Sequence, residues 1–235
     1  MIERGRDPLW YRQVATAFGK HLVLKSIGTT VFISMFFVAY FQVLNHPATP
    51  PTVMPAIWLD HLIPFEPLAL PVYLSLWFYV SLVPALLSTR LELVRYGAAM
   101  FLMCGIGLSI FYFWPTGAPV PDIDWTRHPN MRFLKNIDAS GNACPSLHVA
   151  AALCSGIWLH HLLCRFDGPA WLRMCNWTWC IGIVYSTLAI RQHVAVDAGA
   201  GLVLGGMLAW LSLRYQVRTD AAFRMPARPH LKITS

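Results

Sequence analysis

The stretch NACPSLHVAAAL, residues 142–153, decides how this chain is interpreted. A polar segment with a proline runs directly into an apolar helix, and Ser146 and His148 lie at the junction. Because ionisable side chains are costly at membrane depth, they are expected to have a function there. The stretch therefore predicts a chemical site at the end of a membrane-spanning helix.

The composition predicts an integral membrane protein. The chain has 235 residues, of which 56% are hydrophobic and only 12% are charged, whereas soluble domains contain about 25% charged residues. Apolar windows of about 20 residues indicate transmembrane helices. We expect an all-α bundle of six such helices in a single membrane domain, residues 25–218, between a segment 1–24 and a tail 219–235. The six windows are residues 25–44, 68–88, 95–114, 147–164, 172–190 and 195–215.

The basic residues predict the orientation of the helices. With six spans, fourteen of the eighteen Lys and Arg fall on the side that carries both termini. The positive-inside rule therefore makes both termini cytoplasmic. An anionic membrane surface accounts for the net charge of +7 without nucleic acid. We expect the inner membrane of a bacterium-like cell, with the site facing the periplasm. The basic residues on that outward side are Arg127, Arg132, Lys135 and Arg191.

Two polar clusters fall at this outward side. The first begins the fourth predicted span, where Pro145 suits the first turn of a helix. Ser146 would lie in that turn among free backbone N–H groups, which bind phosphate oxygens well. His148 in the same turn could donate a proton to a leaving group. This cluster therefore predicts a phosphate site with a general acid.

The second cluster, RQHVAVD at residues 191–197, begins the sixth predicted span. His193 and Asp197 are four residues apart and would share a helix face. A carboxylate on one ring nitrogen leaves the other nitrogen free as a nucleophile or base. Arg191 adds a planar cation suited to phosphate. Together the two clusters indicate phosphoryl transfer through a phosphohistidine, with no metal or cofactor required.

These residues resemble the motifs of the phosphatidic acid phosphatase type 2 superfamily of membrane enzymes. The family pattern PSGH is matched by Pro145, Ser146 and His148, and the pattern SRxxxxxHxxxD by Ser186, His193 and Asp197. The resemblance implies that His193 is the nucleophile, that Asp197 orients it, and that His148 protonates the leaving group. It also implies a six-span fold.

The chain departs from the family pattern at three places. Leu147 replaces the glycine of PSGH, and Thr187 stands where the family has arginine. The first family motif, KxxxxxxRP, is missing, since its RP would fall at residues 120–121, Val-Pro. We expect Arg191 to replace the arginine, with Arg127, Arg132 or Lys135 as further phosphate ligands.

PSLH and the basic residue two positions before His193 are similar to the branch that contains inositol phosphorylceramide synthases, as is the stretch from Ile63 to Tyr73. Those relatives transfer a phospho-headgroup to an alcohol. The reaction is therefore expected to be hydrolysis of a lipid phosphate or pyrophosphate, with transfer as the alternative. The expected partners are this lipid substrate and the bilayer, and the oligomeric state is left open. A haem protein using His148 and His193, or a transporter using Asp197, would not explain both motifs.

Small residues in the last predicted span suggest how it packs. Gly199, Gly201, Gly205 and Gly206 form small-xxx-small spacings. Such spacing lets the backbones of two membrane helices approach closely. We therefore interpret these glycines as packing residues.

Overall fold

The protein is described by a computed structural model covering residues 10–131 and 141–224, with only the helical backbone for 216–224. The fold is mostly helical, as predicted. The helices whose bounds lie within the described residues are α1 Trp10–Gly19, α2 Leu22–Asn45, α3 Trp58–Leu62, α4 Leu70–Leu74, α5 Leu76–Leu86, α6 Arg90–Phe113, α7 Leu147–Arg165, α8 Ala170–Ala189 and α9 Ala195–Arg224. Two-residue strands, β1 Thr52–Val53 and β2 Thr116–Gly117, pair in parallel.

Five of the predicted spans are confirmed as helices long and apolar enough to cross a membrane. They are Leu22–Asn45, Pro67–Leu86, Arg90–Phe113, Leu147–Arg165 and Ala195–Tyr215. The second of these consists of a 3-10 turn, Pro67–Ala69, followed by α4 and α5. The remaining window forms α8, which is long enough but includes Arg173 and Asn176 and is less apolar. Six spans and cytoplasmic termini therefore stay predictions. The last helix continues into the predicted tail as far as Arg224, and residues 225–235, like the first nine, lie outside the described residues.

Helix α7 lies at the centre of the bundle. Its alanines at 150, 151 and 152 are buried, and Trp158 and Leu162 fill the space further along the helix. Helices α5, α6, α8 and α9 all pack on α7, while α2 packs on α5 and α6 at the edge. The helix that carries the PSLH motif is therefore held from several sides.

Buried polar side chains join α8 to its neighbours. The Tyr79 hydroxyl donates to Asn176 Oδ1 at 2.7 Å, and Asn176 Nδ2 donates to the Gly156 carbonyl at 3.0 Å. A buried amide is costly unless it is hydrogen-bonded, and these two bonds satisfy it. The least apolar of the long helices is thus compatible with a place inside the bundle.

The close contact between α7 and α9 confirms the packing role of two glycines. A Cβ atom on Gly201 would lie 2.4 Å from the Ser146 carbonyl oxygen, and one on Gly205 would lie 2.2 Å from the Ala150 carbonyl oxygen. Neither contact is possible for another residue without moving a helix. By contrast, a Cβ on Gly199 would meet nothing within 4 Å. The two helices that begin at the polar clusters therefore touch through their backbones.

The starts of α7 and α9 share one end of the bundle, which we call the motif end and define by residues 145–148 and 191–197. Strand β2 organises the loops there, because the carbonyls of Pro115 and Gly117 accept from the N–H groups of Thr52 and Met54, while Thr116 bonds to the segment before α7. The Thr116 N–H donates to Gly141, and the N–H groups of Ala143 and Cys144 donate back to the Thr116 carbonyl and hydroxyl. The approach to the PSLH motif is thus held by backbone hydrogen bonds.

Replacing Gly205 by alanine should separate α7 from α9, because the new methyl group would overlap the Ala150 backbone. We expect a loss of about 1–3 kcal/mol in the free energy of unfolding. Gly199→Ala is the matched control and should be neutral or slightly stabilising, since alanine favours helix. Thermal unfolding in detergent measures both variants. Equal melting temperatures for the two would contradict the contact.

Candidate active site

One backbone hydrogen bond joins the two motifs. The Ser146 N–H donates to the Asp197 carbonyl at 3.0 Å. Ser146 is the residue before α7 and is fully buried, and its hydroxyl oxygen accepts from the Val149 N–H at 3.3 Å. Ser146 therefore caps α7, with Pro145 outside the helix instead of in its first turn. The expectation that Ser146 lies in the first turn of the helix is wrong, and its own N–H is bonded to the Asp197 carbonyl.

His193 lies in the turn before α9, not on the helix as the spacing predicted. Its Nδ1 atom still lies 3.7 Å from Asp197 Oδ2, within ion-pair range but beyond hydrogen-bond length. The same carboxylate oxygen accepts the Val194 N–H at 3.0 Å and so caps the start of α9. Asp197 is completely buried, and His193 is 9% exposed. The helix cap thus holds the carboxylate beside the imidazole.

Tyr73 holds the second imidazole. The ring of His148 stacks on that of Tyr73, with centroids 3.9 Å apart and planes 5° from parallel. His148 Nε2 lies 3.0 Å from the Tyr73 carbonyl oxygen. Because a carbonyl can only accept, Nε2 carries the proton and Nδ1 is the atom left for chemistry. Tyr73 therefore sets both the plane and the tautomer of His148.

His148 and His193 line the same cavity, of about 1290 Å³. Most other lining residues are apolar and come from α2, α5 and α6. Along α2 the lining extends from Leu24 to Phe41, which corresponds to about 25 Å at 1.5 Å per residue. The cavity therefore resembles a long apolar groove with two imidazoles at one end.

Arg191 has left-handed backbone geometry, with φ of 59°. Helices commonly end on a glycine in this conformation, and another residue needs support from its surroundings. The guanidinium provides it by donating to the carbonyls of Asp60 and Ile63 at 2.9 and 2.8 Å. Asp60 Oδ1 in turn accepts the Ala195 N–H at 2.7 Å. This clamp ties the segment around α3 to the turn that carries His193.

Of the other predicted phosphate ligands, Arg127 is the one that lies within the described residues, and it is not at the cavity. Arg127 lies in an exposed turn and pairs with Asp124 at 3.1 Å. Arg132 and Lys135 lie outside the described residues. Thr187, at the position of the family arginine, is fully buried and bonds to the Val184 carbonyl. Neither Arg127 nor Arg191 lines the cavity. Their roles in phosphate binding, and that of Arg132, therefore stay predictions.

The neighbouring thiol is not a competing nucleophile. Burial raises the pKa of Cys144 to about 11, and the nearby Asp197 carboxylate adds to the shift. The thiol is therefore protonated at neutral pH, and the thiolate is the reactive form. In the described part of the chain, no three His, Cys, Asp or Glu side chains are grouped as metal ligands would be. The imidazoles are thus the groups at this site suited to attack and proton transfer.

A comparison with known protein families identifies the family of this chain. The PAP2 superfamily, the phosphatidic acid phosphatase type 2 group, matches residues 92–220, which is more than half of the chain and includes both motifs. The chain belongs to the PAP2 superfamily. Members of the PAP2 superfamily are phosphatases or phosphotransferases. No curated protein matches the chain as a close relative.

The PAP2 match begins in α6, so it leaves out Asp60 and Tyr73. Sequence reasoning missed both residues as parts of the site. Tyr73 lies at the end of a stretch that already suggested a particular branch, but its stacking on His148 follows only from the packing of α4. Asp60 lies in the apolar segment PAIWLDHLI, where a single carboxylate was the available signal. The site is therefore completed from outside the region that defines the family.

Replacing Asp60 by alanine should destabilise the motif end, because the Ile57 and Ala195 N–H groups lose their acceptor. We expect a loss of about 1–2 kcal/mol, the usual effect of removing a helix cap. Asp122→Ala removes an exposed carboxylate and is the control. Thermal unfolding in detergent gives both values. If Asp60→Ala melts at the same temperature as Asp122→Ala, the clamp does not stabilise the protein.

Proposed function

We propose that the protein is a lipid phosphatase that hydrolyses a phosphate monoester or pyrophosphate through a phosphohistidine on His193. The observation that carries the proposal is the pair of imidazoles at one end of an apolar cavity. A lipid phosphate has the matching form, with a charged head and a long apolar tail. Membership in the PAP2 superfamily and the apolar helices fit such an enzyme.

The cavity suggests how the substrate binds. Its lining along α2 extends over most of the roughly 30 Å hydrocarbon thickness of a bilayer, so a lipid tail can remain in an apolar environment. The head then lies at the motif end, between His148 and His193. This placement allows the lipid to enter from the bilayer and to present its phosphorus atom without leaving the membrane.

In the first step, His193 Nε2 attacks the phosphorus atom. A P–N bond forms, and the bond from phosphorus to the lipid oxygen, or to the second phosphate of a pyrophosphate, breaks. Asp197 stabilises the positive charge that develops on the His193 ring. His148 enters this step as an imidazolium and donates the proton on Nδ1 to the departing oxygen. Tyr73 supports this geometry because its carbonyl occupies Nε2 of the same ring.

In the second step, water attacks the phosphohistidine and gives a proton to His148 Nδ1. The P–N bond breaks, inorganic phosphate leaves, and both histidines regain their starting states. The negative charge on the phosphoryl oxygens needs donors during both steps. We assign this role to the Ser146 region at the start of α7 and to Arg191, with Arg127 and Arg132 as further proposed ligands. The hydrogen bonds from Arg191 to the Asp60 and Ile63 carbonyls also favour a role in holding the turn before His193.

Transfer to an alcohol is the second candidate reaction. The PSLH variant and the stretch from Ile63 to Tyr73, whose carbonyls contact Arg191 and His148, favour it as in the inositol phosphorylceramide synthase branch. In this reaction an alcohol replaces water in the second step and receives the phospho-headgroup. We also propose that both termini are cytoplasmic and that the motif end faces the periplasm of a bacterial inner membrane.

Replacing His193 by alanine should abolish turnover, because no nucleophile remains. Replacing His148 by glutamine should slow turnover by about 10²- to 10⁴-fold, the usual contribution of a general acid and base. His160→Ala removes an imidazole near the opposite end of α7 and should leave the rate unchanged. Purified variants are incubated with lipid phosphates and pyrophosphates, with and without EDTA, and released phosphate and headgroup-exchanged lipid are measured together.

Phosphate release by the unmodified protein supports the phosphatase, and exchanged lipid without phosphate supports the transferase. Undiminished turnover by His193→Ala would rule out the proposed nucleophile. If His148→Gln turns over at the wild-type rate, His148 is not the proton donor, and the assignment of His193 as the nucleophile is unaffected.

A further inference from the structure

Asn142 has an unsatisfied amide donor in the same cavity. Its side chain is 8% exposed, and within the described residues Nδ2 has no hydrogen-bond partner. Leaving a buried donor unpaired costs about 1–3 kcal/mol. Such a cost is retained at a functional site when a ligand satisfies the group on binding. Asn142 lines the cavity together with His148 and His193, so the missing acceptor is expected on the substrate.

The backbone around Asn142 is held in place. Asn142 forms a parallel bridge with Thr116. The residues on either side of it bond to the Thr116 backbone, since Gly141 accepts from the Thr116 N–H and the Ala143 N–H donates to the Thr116 carbonyl, both at 3.0 Å. A donor supported in this way can be aimed at a developing charge without reorganising, which is how oxyanion sites act.

We infer that Asn142 Nδ2 donates a hydrogen bond to a phosphoryl oxygen of the substrate while His193 attacks the phosphorus atom. The inference rests on the proposed function and adds a neutral donor to it. The two positions where the family has arginines are occupied by Val120 and Thr187, neither of which is charged. Among the described residues that line the cavity, Asn142 is the amide beside the two imidazoles.

Gln192 offers a matched control. Its Nε2 atom also lacks a partner within the described residues, and the side chain is 6% exposed. Gln192 does not line the cavity, so its amide is not available to a phosphate bound between the imidazoles. Comparing variants of the two residues therefore distinguishes the effect of losing an unpaired buried amide from the effect of losing a donor at the substrate cavity.

The test uses Asn142→Ala, which removes the donor, and Asn142→Asp, which keeps the shape but replaces the donor with a negative charge. We expect kcat to fall by about 10²- to 10³-fold in Asn142→Ala, as when one oxyanion donor is removed, and further in Asn142→Asp. Melting temperatures should stay at the wild-type value or rise. Gln192→Met should bind orthovanadate as the wild type does, because its amide does not line the cavity. In the Asn142 variants, binding of orthovanadate, measured by thermal shift, should weaken in parallel with kcat.

The outcomes separate this inference from the proposed function. Wild-type kcat and vanadate affinity in Asn142→Ala would overturn the inference and leave the phosphatase in place. If Asn142→Ala fails to fold, Asn142→Asp decides, and wild-type vanadate affinity in that variant would overturn the inference. If the unmodified protein hydrolyses and transfers no lipid phosphate, the proposed function fails. Vanadate binding that is lost in Asn142→Ala would then still support an oxyanion site, and vanadate binding that is absent or unchanged would end the inference.

Discussion

The contact between the starts of α7 and α9 is the constraint on which the rest of the site depends. The Ser146 N–H bonds to the Asp197 carbonyl, and Gly201 and Gly205 bring the two backbones together below that bond. In a bilayer, helices associate through close packing and hydrogen bonds because lipid tails are as apolar as the helix surfaces. Here both effects act at the same crossing. As a result, two motifs more than forty residues apart meet at one end of the bundle.

Polar groups at this end are held by bonds that also form the fold. Asp197 caps α9 while it faces His193, and Ser146 caps α7 while it bonds to Asp197. Asp60 supplies an acceptor to α9 from a distant segment. Because each helix start needs acceptors for its first N–H groups, the protein places its buried polar residues where the backbone already requires them. The unpaired amide donors of Asn142 and Gln192 are exceptions, and of these two residues Asn142 lines the cavity.

Much of the fold could be predicted from the sequence, because long apolar segments have few alternatives in a membrane. Five spans and the family followed from hydropathy and from the two motifs. Whether α8 is a membrane span was harder to predict, because Asn176 makes its sequence less apolar. The structure shows that the Asn176 amide is satisfied by hydrogen bonds to Tyr79 and Gly156. The exact position of His193 could not be predicted either, because the spacing to Asp197 suggests a helix although His193 lies in the preceding turn.

The supporting residues of the site were beyond sequence reasoning for a different reason. Tyr73 contacts His148 across 75 residues, and Arg191 contacts the Asp60 carbonyl across 131. Contacts to a backbone carbonyl leave no mark in the residue type that provides it, so no local pattern indicates them. The chemistry of the two histidines could be read from the motifs, whereas their orientation is a property of the packed bundle.

A structure of the protein with orthovanadate would show whether both imidazoles act on one phosphorus atom. Vanadate adopts the five-coordinate geometry of a phosphoryl group in transfer, so it should bind at the reacting position. We expect a bond from His193 Nε2 to vanadium, with His148 Nδ1 in hydrogen-bonding contact with a vanadate oxygen on the leaving-group side. Vanadate bound elsewhere, or bound to one imidazole with the other out of reach, would contradict this expectation.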